Sequence, residues 1–378
     1  METKAMNIEP AIFSRLCKCL YGYSRRHRSL DSGAEPASAA ASRPRTPRRR
    51  LALLCMAAFV CGGAAHAEGY PSRPIRMIVP YAAGGGIDAT ARLFAKAMAQ
   101  QLHASLIVEN RPGAGGMIGA EAAVRAAPDG YTVLFSGNPE LGSSPRFYGH
   151  APYDPTKDLR PVAMVAESPT VVVASPSLQA ATLRDALALG RKDPTLLTVA
   201  TAGVGTTHHF ALEALRHKSG VNLLHVPYKG AAPATMAVLG GQTKMAIVGL
   251  PPAWPYIKSG RLLAYAVLQP KRSAFLPEVP TIEQATGMKG LDAFATWYGL
   301  VVPARTPDAV VAVLEQAARK VLAEPQLAQA LAVQGTEVQP LFGADFGRRI
   351  QHEWELYGEL VKQYGITAEH EGKAGPAK

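Results

Sequence analysis

Cysteine is scarce in this chain and poorly placed for chemistry. All four residues, Cys17, Cys19, Cys55 and Cys61, precede position 62 of 378. They fall in a segment with the marks of a removable leader, so the remainder offers no disulfide, no thiol nucleophile and no cysteine metal site. The leader's apolar run, Leu51 to Ala65, has only fifteen residues, too few to span a bilayer comfortably. Aromatic residues are sparse at 7%, and no basic cluster interleaved with aromatics marks a nucleic-acid face. The signatures G-x-S-x-G and H-E-x-x-H do not occur, and no carboxylate pair has a convincing spacing for acid–base work. These absences argue against a thiol or serine hydrolase, a zinc enzyme and a nucleic-acid binder. We expect no catalytic residue, no metal and no cofactor.

The N-terminal 67 residues read as an export leader. An Arg-, Ser-, Ala- and Pro-rich stretch ends in Arg48-Arg49-Arg50, the apolar run follows, and Ala65-His66-Ala67 supplies the small-x-small pattern of a cleavage point. The paired arginines leave both the general secretory and the twin-arginine route open. Removal near Ala67 takes 11 Lys and Arg with 4 Asp and Glu, leaving 29 against 25, so a net charge of +11 becomes +4. The basic balance is mainly a property of the leader.

What the remainder does contain is one arrangement written twice. MIVPYAAGGGIDATARLFAKAM carries an apolar run, Gly84-Gly85-Gly86 and a helical pattern opened by Asp88; LLTVATAGVGTTHHFALEAL carries a second run, Gly203-Val204-Gly205-Thr206-Thr207 and a second helix. Each turn presents unpaired backbone N–H groups at a helix N-terminus, an anion site needing no charged side chain. Two such turns suit one small anion held between two lobes.

At 311 residues, positions 68–378 exceed the size at which one core stops growing, so two lobes are expected. Strands are predicted at 75–80, 105–109, 131–136, 162–166, 170–174, 196–200, 223–226, 244–248, 262–268 and 296–302. Helices are predicted at 87–102, 117–126, 182–191, 208–218, 231–239, 253–258, 280–285, 307–323, 325–333 and 343–363. In the first helix Ile87, Ala91, Phe94, Ala95, Met98 and Leu102 share one face. The alternation predicts an α/β fold with mostly parallel sheets. No low-complexity linker divides it, so strands should cross between the lobes. The last 70 residues should wrap over the first lobe, and the tail from His370 should fray.

Individual residues carry rival readings. Asp88 is placed to cap its helix, where it would compete with a bound anion. Thr206 and Thr207 have hydroxyls to donate to a carboxylate. His208 and His209 diverge by about 100° on a helix, so His208 reads as a donor or cap before it reads as a metal ligand. Ser136-Gly137-Asn138-Pro139 ends a strand, where ligands of open sheets collect; Asn138 reads equally as a ligand donor and a turn former. VENRPGAGGMIG misses the dinucleotide spacing and reads as structural. Lys229 reads as a solvated lysine ahead of a ligand contact. Trp297 and Tyr298 read as core or as a ligand wall.

The stretches VPYAAGGGIDATAR, VENRPGAGGMIGAEAA, PDGYT, GVGTTHH, HVPYKGAAPA, LPEVPTIEQ and TWYGLVVPARTP occur in this order across essentially the whole of 68–378. Together they resemble the Bug-type extracytoplasmic solute receptors, the substrate-binding proteins of tripartite tricarboxylate transporters. The resemblance implies a two-lobed periplasmic binding fold of type II-like form, with lobes joined by crossing strands and a ligand cleft between them. It implies a monomeric periplasmic protein that delivers a small organic carboxylate to membrane permease subunits and is not an enzyme. A sensor of the same fold serving a signalling partner is the alternative, and an enzyme using Asp88 with His208 a lesser one. The leader is expected at 1–67, lobe 1 at 68–168 plus 283–378, and lobe 2 at 169–282. The expected ligand-binding residues are Tyr81, Gly84, Gly85, Gly86, Asp88, Asn138, Gly203, Gly205, Thr206, Thr207 and His208. One departure stands out: an Asp-Asn pair common in such receptors is replaced by Val248 and Gly249, which implies a less polar wall and gives weight to an aromatic or apolar monocarboxylate.

Overall fold

The computed structural model describes residues 69–368. The leader, its cleavage point near Ala67, all four cysteines and the tail from 369 lie outside the described residues. The described chain opens with β1 (Ile75–Val79), α1 (Gly86–Leu102), β2 (Leu106–Asn110), α2 (Met117–Val124) and β3 (Thr132–Gly137). A π-helical turn (Pro139–Ser143) then runs into α3 (Ser144–Tyr148), followed by β4 (Leu159–Ser168). Pro169 alone separates β4 from β5 (Thr170–Ala174). After it come α4 (Leu183–Lys192), β6 (Thr198–Thr201), α5 (Thr207–Ser219), β7 (Leu224–Pro227), α6 (Ala231–Leu239), β8 (Met245–Gly249), α7 (Leu250–Lys258), β9 (Leu263–Val267) and α8 (Ile282–Thr286). The chain closes with β10 (Thr296–Pro303), α9 (Asp308–Leu322), α10 (Pro325–Ala332), β11 (Glu337–Phe342) and α11 (Gly343–Tyr364).

Two sheets form two lobes. The first has the order β11-β4-β10-β3-β1-β2 and the second β7-β6-β8-β5-β9. Each is covered on both faces. In the first, α1 sets Phe94 and Met98 with Leu314 and Val321 of α9 on one side, and α2 sets Met117 and Ala120 with Phe346 of α11 on the other. In the second, Leu187 of α4 and Phe210 of α5 cover one face, while Ala234 of α6 and Ala253 of α7 cover the other. Full burial of each such large side chain contributes about 1.5–3 kcal/mol, which is why the apolar stripe of α1 is a reliable guide to its orientation.

The sheets are mixed, which corrects the expectation of mostly parallel ones. The pairs β1–β2, β1–β3, β6–β7 and β6–β8 are parallel. In contrast β10 runs antiparallel to β3 and β4, β11 to β4, and β5 to β8 and β9. The cause is the passage between lobes. β4 leads out of the first sheet and β10 leads back into it, so the two lie side by side in opposite directions.

The last helix also departs from the expected wrap over the first lobe alone. Phe346 and Ile350 of α11 lie in the first lobe's core, whereas Tyr357 and Leu360, about two and about three turns further on, lie in the core of the second. The segment 139–148 bridges likewise, with Leu141 in the first core and Phe147 in the second.

Candidate functional site

The first glycine turn carries the chain from β1 into α1 with Gly85 as a cap that has no side-chain partner. The N–H groups of Gly86, Ile87 and Asp88 have no carbonyl four residues back within the helix. Asp88 does not face them. Its carboxylate turns back to accept the Gly84 N–H at 2.9 Å, pairs with Arg92 at 2.9 Å and accepts from Asn110 Nδ2 at 2.9 Å. Burial alone would raise its pKa, but these bonds together hold it below the usual carboxylate range. The N-terminal end of α1 therefore keeps an acid beside it that is neutralised sideways and does not cap it.

The second turn carries β6 into α5. Thr206 caps it, accepting from His209 N at 3.4 Å and donating its one hydroxyl proton to the Gly203 carbonyl at 2.7 Å. Gly205 has φ +74°, where a side chain is strained, and its carbonyl accepts from Ser143 Oγ at 2.8 Å and Ser144 Oγ at 3.1 Å. His208 follows on the first turn of α5. Its Nε2 meets Thr296 Oγ1 at 3.3 Å, and Thr296 Oγ1 meets Thr170 Oγ1 at 3.1 Å, which ties the imidazole to β10 of the first sheet and to β5 of the second. Burial pushes the imidazole pKa down to about 4, so the ring is neutral at ordinary pH. Its Nδ1 is buried and has no hydrogen-bond partner among the described residues.

The two turns meet across a cleft of about 40 Å³. The first lobe lines it with Tyr81, Gly85, Gly86, Ile87, Gly137 and Pro139, the second with Ala202, Thr206, His208, Ala231, Gly249 and Pro252, and β10 adds Thr296 and Tyr298. No Lys, Arg, Asp or Glu side chain is among them. The rim is held by the Ala82 N–H, which donates to the Lys229 carbonyl at 3.2 Å. At Gly86 an added Cβ would stand 2.7 Å from Tyr298 Oη and 2.9 Å from Pro251 Cγ; only glycine allows this approach.

Behind the first-lobe wall lies Glu140, fully buried. Its Oε1 accepts from Gly137 N at 2.5 Å and Ser136 Oγ at 3.0 Å, and its Oε2 lies 3.1 Å from Tyr81 Oη. Burial pushes its pKa up to about 7 against the lowering effect of these bonds. The phenol of Tyr81 is itself pushed well above its usual range, first by burial and then by Glu140. No described ion pair reaches the Glu140 carboxyl.

The model of the TctC family, described as the tripartite tricarboxylate transporter family receptor, matches residues 90–366. The chain belongs to this family. BugT of Bordetella pertussis is 33% identical over 296 residues, spanning 76% of this chain and 88% of BugT. The solved periplasmic binding protein BugD is 32% identical with a TM-score of 0.75, over 79% of this chain and 99% of BugD. MatC from Rhodopseudomonas palustris, solved with bound malate, is 29% identical with a TM-score of 0.73, over 77% and 100% of the two chains. TctC is a receptor family of two-lobed α/β periplasmic binding proteins, and the fold described above is of that kind.

In this TctC receptor the expected site residues separate into two groups. Tyr81, Gly85, Gly86, Thr206 and His208 line the cleft. Gly84, Asp88, Asn138, Gly203, Gly205 and Thr207 are not part of its lining; Gly84 is exposed and the other five are buried in or beside the turns. Asn138 is buried and donates from Nδ2 to the Ala295 carbonyl at 3.0 Å, and Thr207 Oγ1 accepts from Tyr357 Oη at 3.1 Å. The Lys229 side chain is exposed, and only its carbonyl takes part at the rim. Trp297 is buried in the first-lobe core while its neighbour Tyr298 faces the cleft, as alternation along β10 requires. By the same alternation Val248 points into the second-lobe core and Gly249 alone forms cleft wall. Gly137 and Pro139 line the cleft from the strand-end turn singled out for ligands, whereas Ile87, Ala202, Ala231, Pro252 and Thr296 line it without having been singled out, and nothing local distinguishes these five from core or turn residues.

Proposed function

We propose that this TctC receptor captures one small organic carboxylate between its lobes in the periplasm and hands it to the permease subunits of a tripartite transporter. The observation that carries this is the convergence of two uncapped or hydroxyl-capped helix N-termini, one from each lobe, on a single cleft without basic side chains. Each contributes roughly half a positive charge and oriented N–H donors, which suits a carboxylate. The malate held by MatC supports the same ligand class. In this proposal the leader 1–67 directs export and is removed. Residues 68–168 with 283–378 make one lobe and 169–282 the other, and the protein acts as a monomer. Tyr81, Gly85, Gly86, Thr206 and His208 meet the ligand, and the remaining expected residues hold the turns. Closure forms the rim bond between Ala82 and Lys229 and presents the closed form to the permease.

A thermal-shift screen of residues 68–378 against small mono-, di- and tricarboxylates tests it. A ligand at 100 times its Kd should stabilise the protein by about 2.7 kcal/mol. Gly86→Ala should abolish the shift, because the new methyl group obstructs the approach of Pro251. No stabilisation by any carboxylate, or turnover of one, contradicts the proposal.

A further inference from the structure

Two further helices begin on the cleft. Ala231 opens α6 and Gly249 caps α7, and both line it together with Pro252, the third residue of α7. The four helix starts are not alike. In α1 the N–H groups of Gly86, Ile87 and Asp88 have no carbonyl four residues back within the helix, and the same holds for Thr207 and His208 in α5 and for Ala231 and Ala232 in α6. The start of α7 has none to offer. Its first N–H, of Leu250, is spent on the Pro169 carbonyl at 2.9 Å, and the next two positions are Pro251 and Pro252. Its cap Gly249 is paired with Thr170 in the sheet and has no side chain. α7 therefore lends the cleft its dipole but no donor, so charge is not what distinguishes this wall.

The polar side chains of the lining sharpen the contrast. Tyr81 is engaged with Gly115 and Glu140, Thr206 with Gly203 and His209, Thr296 with Thr170, and Tyr298 with Ser168. His208 differs, because it is buried and its Nδ1 has no hydrogen-bond partner among the described residues. When Thr170 gives its proton to Thr296 and Thr296 gives its own to Nε2, the ring proton falls on Nδ1. The reverse order leaves the buried Thr170 hydroxyl proton without an acceptor among the described residues. An imidazole N–H is thus reserved at the start of α5, among the helix ends that carry donors.

We propose that Pro252 is a specificity-determining residue: it leaves the α7 wall without a donor, so the ligand's oxygens gather at α1, α5 and α6 and the face turned to α7 must be apolar. The ligand class is a small carboxylate that carries alkyl or aryl carbon on that face, where a hydroxy acid would carry oxygen. This rests on the cleft being a carboxylate site, as proposed above. A hydroxyl turned to Pro252 gives up its water and gains no partner, whereas a methyl group there gains apolar contact.

Calorimetry of residues 68–378 with two pairs of acids tests this, isobutyrate against lactate and methylsuccinate against malate. Within each pair the charge is the same and a methyl group stands in place of a hydroxyl. In whichever pair binds, the methyl member should bind at least about tenfold more tightly. Pro252→Ala adds an N–H at a helix start, where no carbonyl four residues back takes it, so the preference should shrink by roughly tenfold. Should that variant not fold, the wild-type preference still decides. A hydroxy acid bound as tightly as its methyl partner, or a preference that survives unchanged in Pro252→Ala, overturns the role of Pro252 and leaves the carboxylate site standing. No binding of any of the four acids overturns the carboxylate site and the role of Pro252 with it.

Discussion

Two buried ionisable side chains flank the same cleft from opposite lobes, His208 lining it and Glu140 behind its wall, and burial moves them in opposite directions. Glu140 rises from 4.5 to about 7 and His208 falls from 6.5 to about 4. The folded protein therefore holds the Glu140 proton more tightly than the unfolded chain. The stability this gives is present below about pH 4.5 and lost as pH climbs through about 7. His208 is held neutral, so its contribution is present above about pH 6.5 and lost as pH falls toward about 4. Each effect amounts to about 3 kcal/mol at full extent, and between about pH 4.5 and 6.5 the two nearly cancel. Glu140→Gln should leave a stability curve that falls more steeply with acid than the wild type, and His208→Gln one that rises relative to it. Urea unfolding across this range measures both, and parallel curves for the three proteins would contradict the burial of these groups. Neither residue's environment was legible in the sequence. A Glu following Asn138-Pro139 has the look of a solvated helix start, and its burial arises from α11, some two hundred residues away. His208 was recognisable as a helix-start residue because the glycines and threonines before it are local signals.

At the scale of elements, most of the architecture could be read from periodicity, since among the described residues ten of the eleven strands and ten of the eleven α-helices follow apolar patterns that the lobes then bury. The exceptions have physical causes. Glu337–Phe342 is an edge strand with an exposed, non-alternating pattern and Pro340 in its middle, tolerated only because an edge needs fewer ladder bonds. Pro139, Gly142 and Pro145 break any helical signal across 139–148, yet this segment closes a π-helical turn and α3 against both cores. It also fixes the second glycine turn, because Ser143 and Ser144 both donate to the Gly205 carbonyl. Shared acceptors make the two serines mutually redundant. Ser143→Ala should cost about 0.5–1.5 kcal/mol, since Ser144 can turn its one proton to Gly205 from the Gly115 carbonyl, which the Tyr81 hydroxyl also reaches. The double variant with Ser144→Ala should cost more than the sum of the single ones, because it strands a buried acceptor. A double-mutant cycle by chemical unfolding reads the difference, and strictly additive costs would show that Gly205 finds another donor.

At the scale of the whole molecule, the lobes are linked by more than the crossing strands. α11 places Phe346 and Ile350 in the first core and Tyr357 and Leu360 in the second, and Tyr357 adds a buried hydrogen bond to Thr207 at the start of α5. Unfolding either lobe must therefore strip apolar surface from a helix the other lobe needs, which predicts a single cooperative transition although there are two sheets. The strap should also restrict how the lobes open, the rim joined by the Ala82–Lys229 bond parting and the side held by α11 serving as the pivot. Tyr357→Ala removes a fully buried aromatic ring and should destabilise the second lobe by about 3–5 kcal/mol. The first lobe keeps Phe346 and Ile350, so it should lose much less. Differential scanning calorimetry should then resolve the one transition into two, the earlier one assigned to the second lobe by protection of its amides. A variant that still melts in one transition, merely shifted, would mean that the crossing strands alone couple the lobes and that α11 is an ornament of the second core.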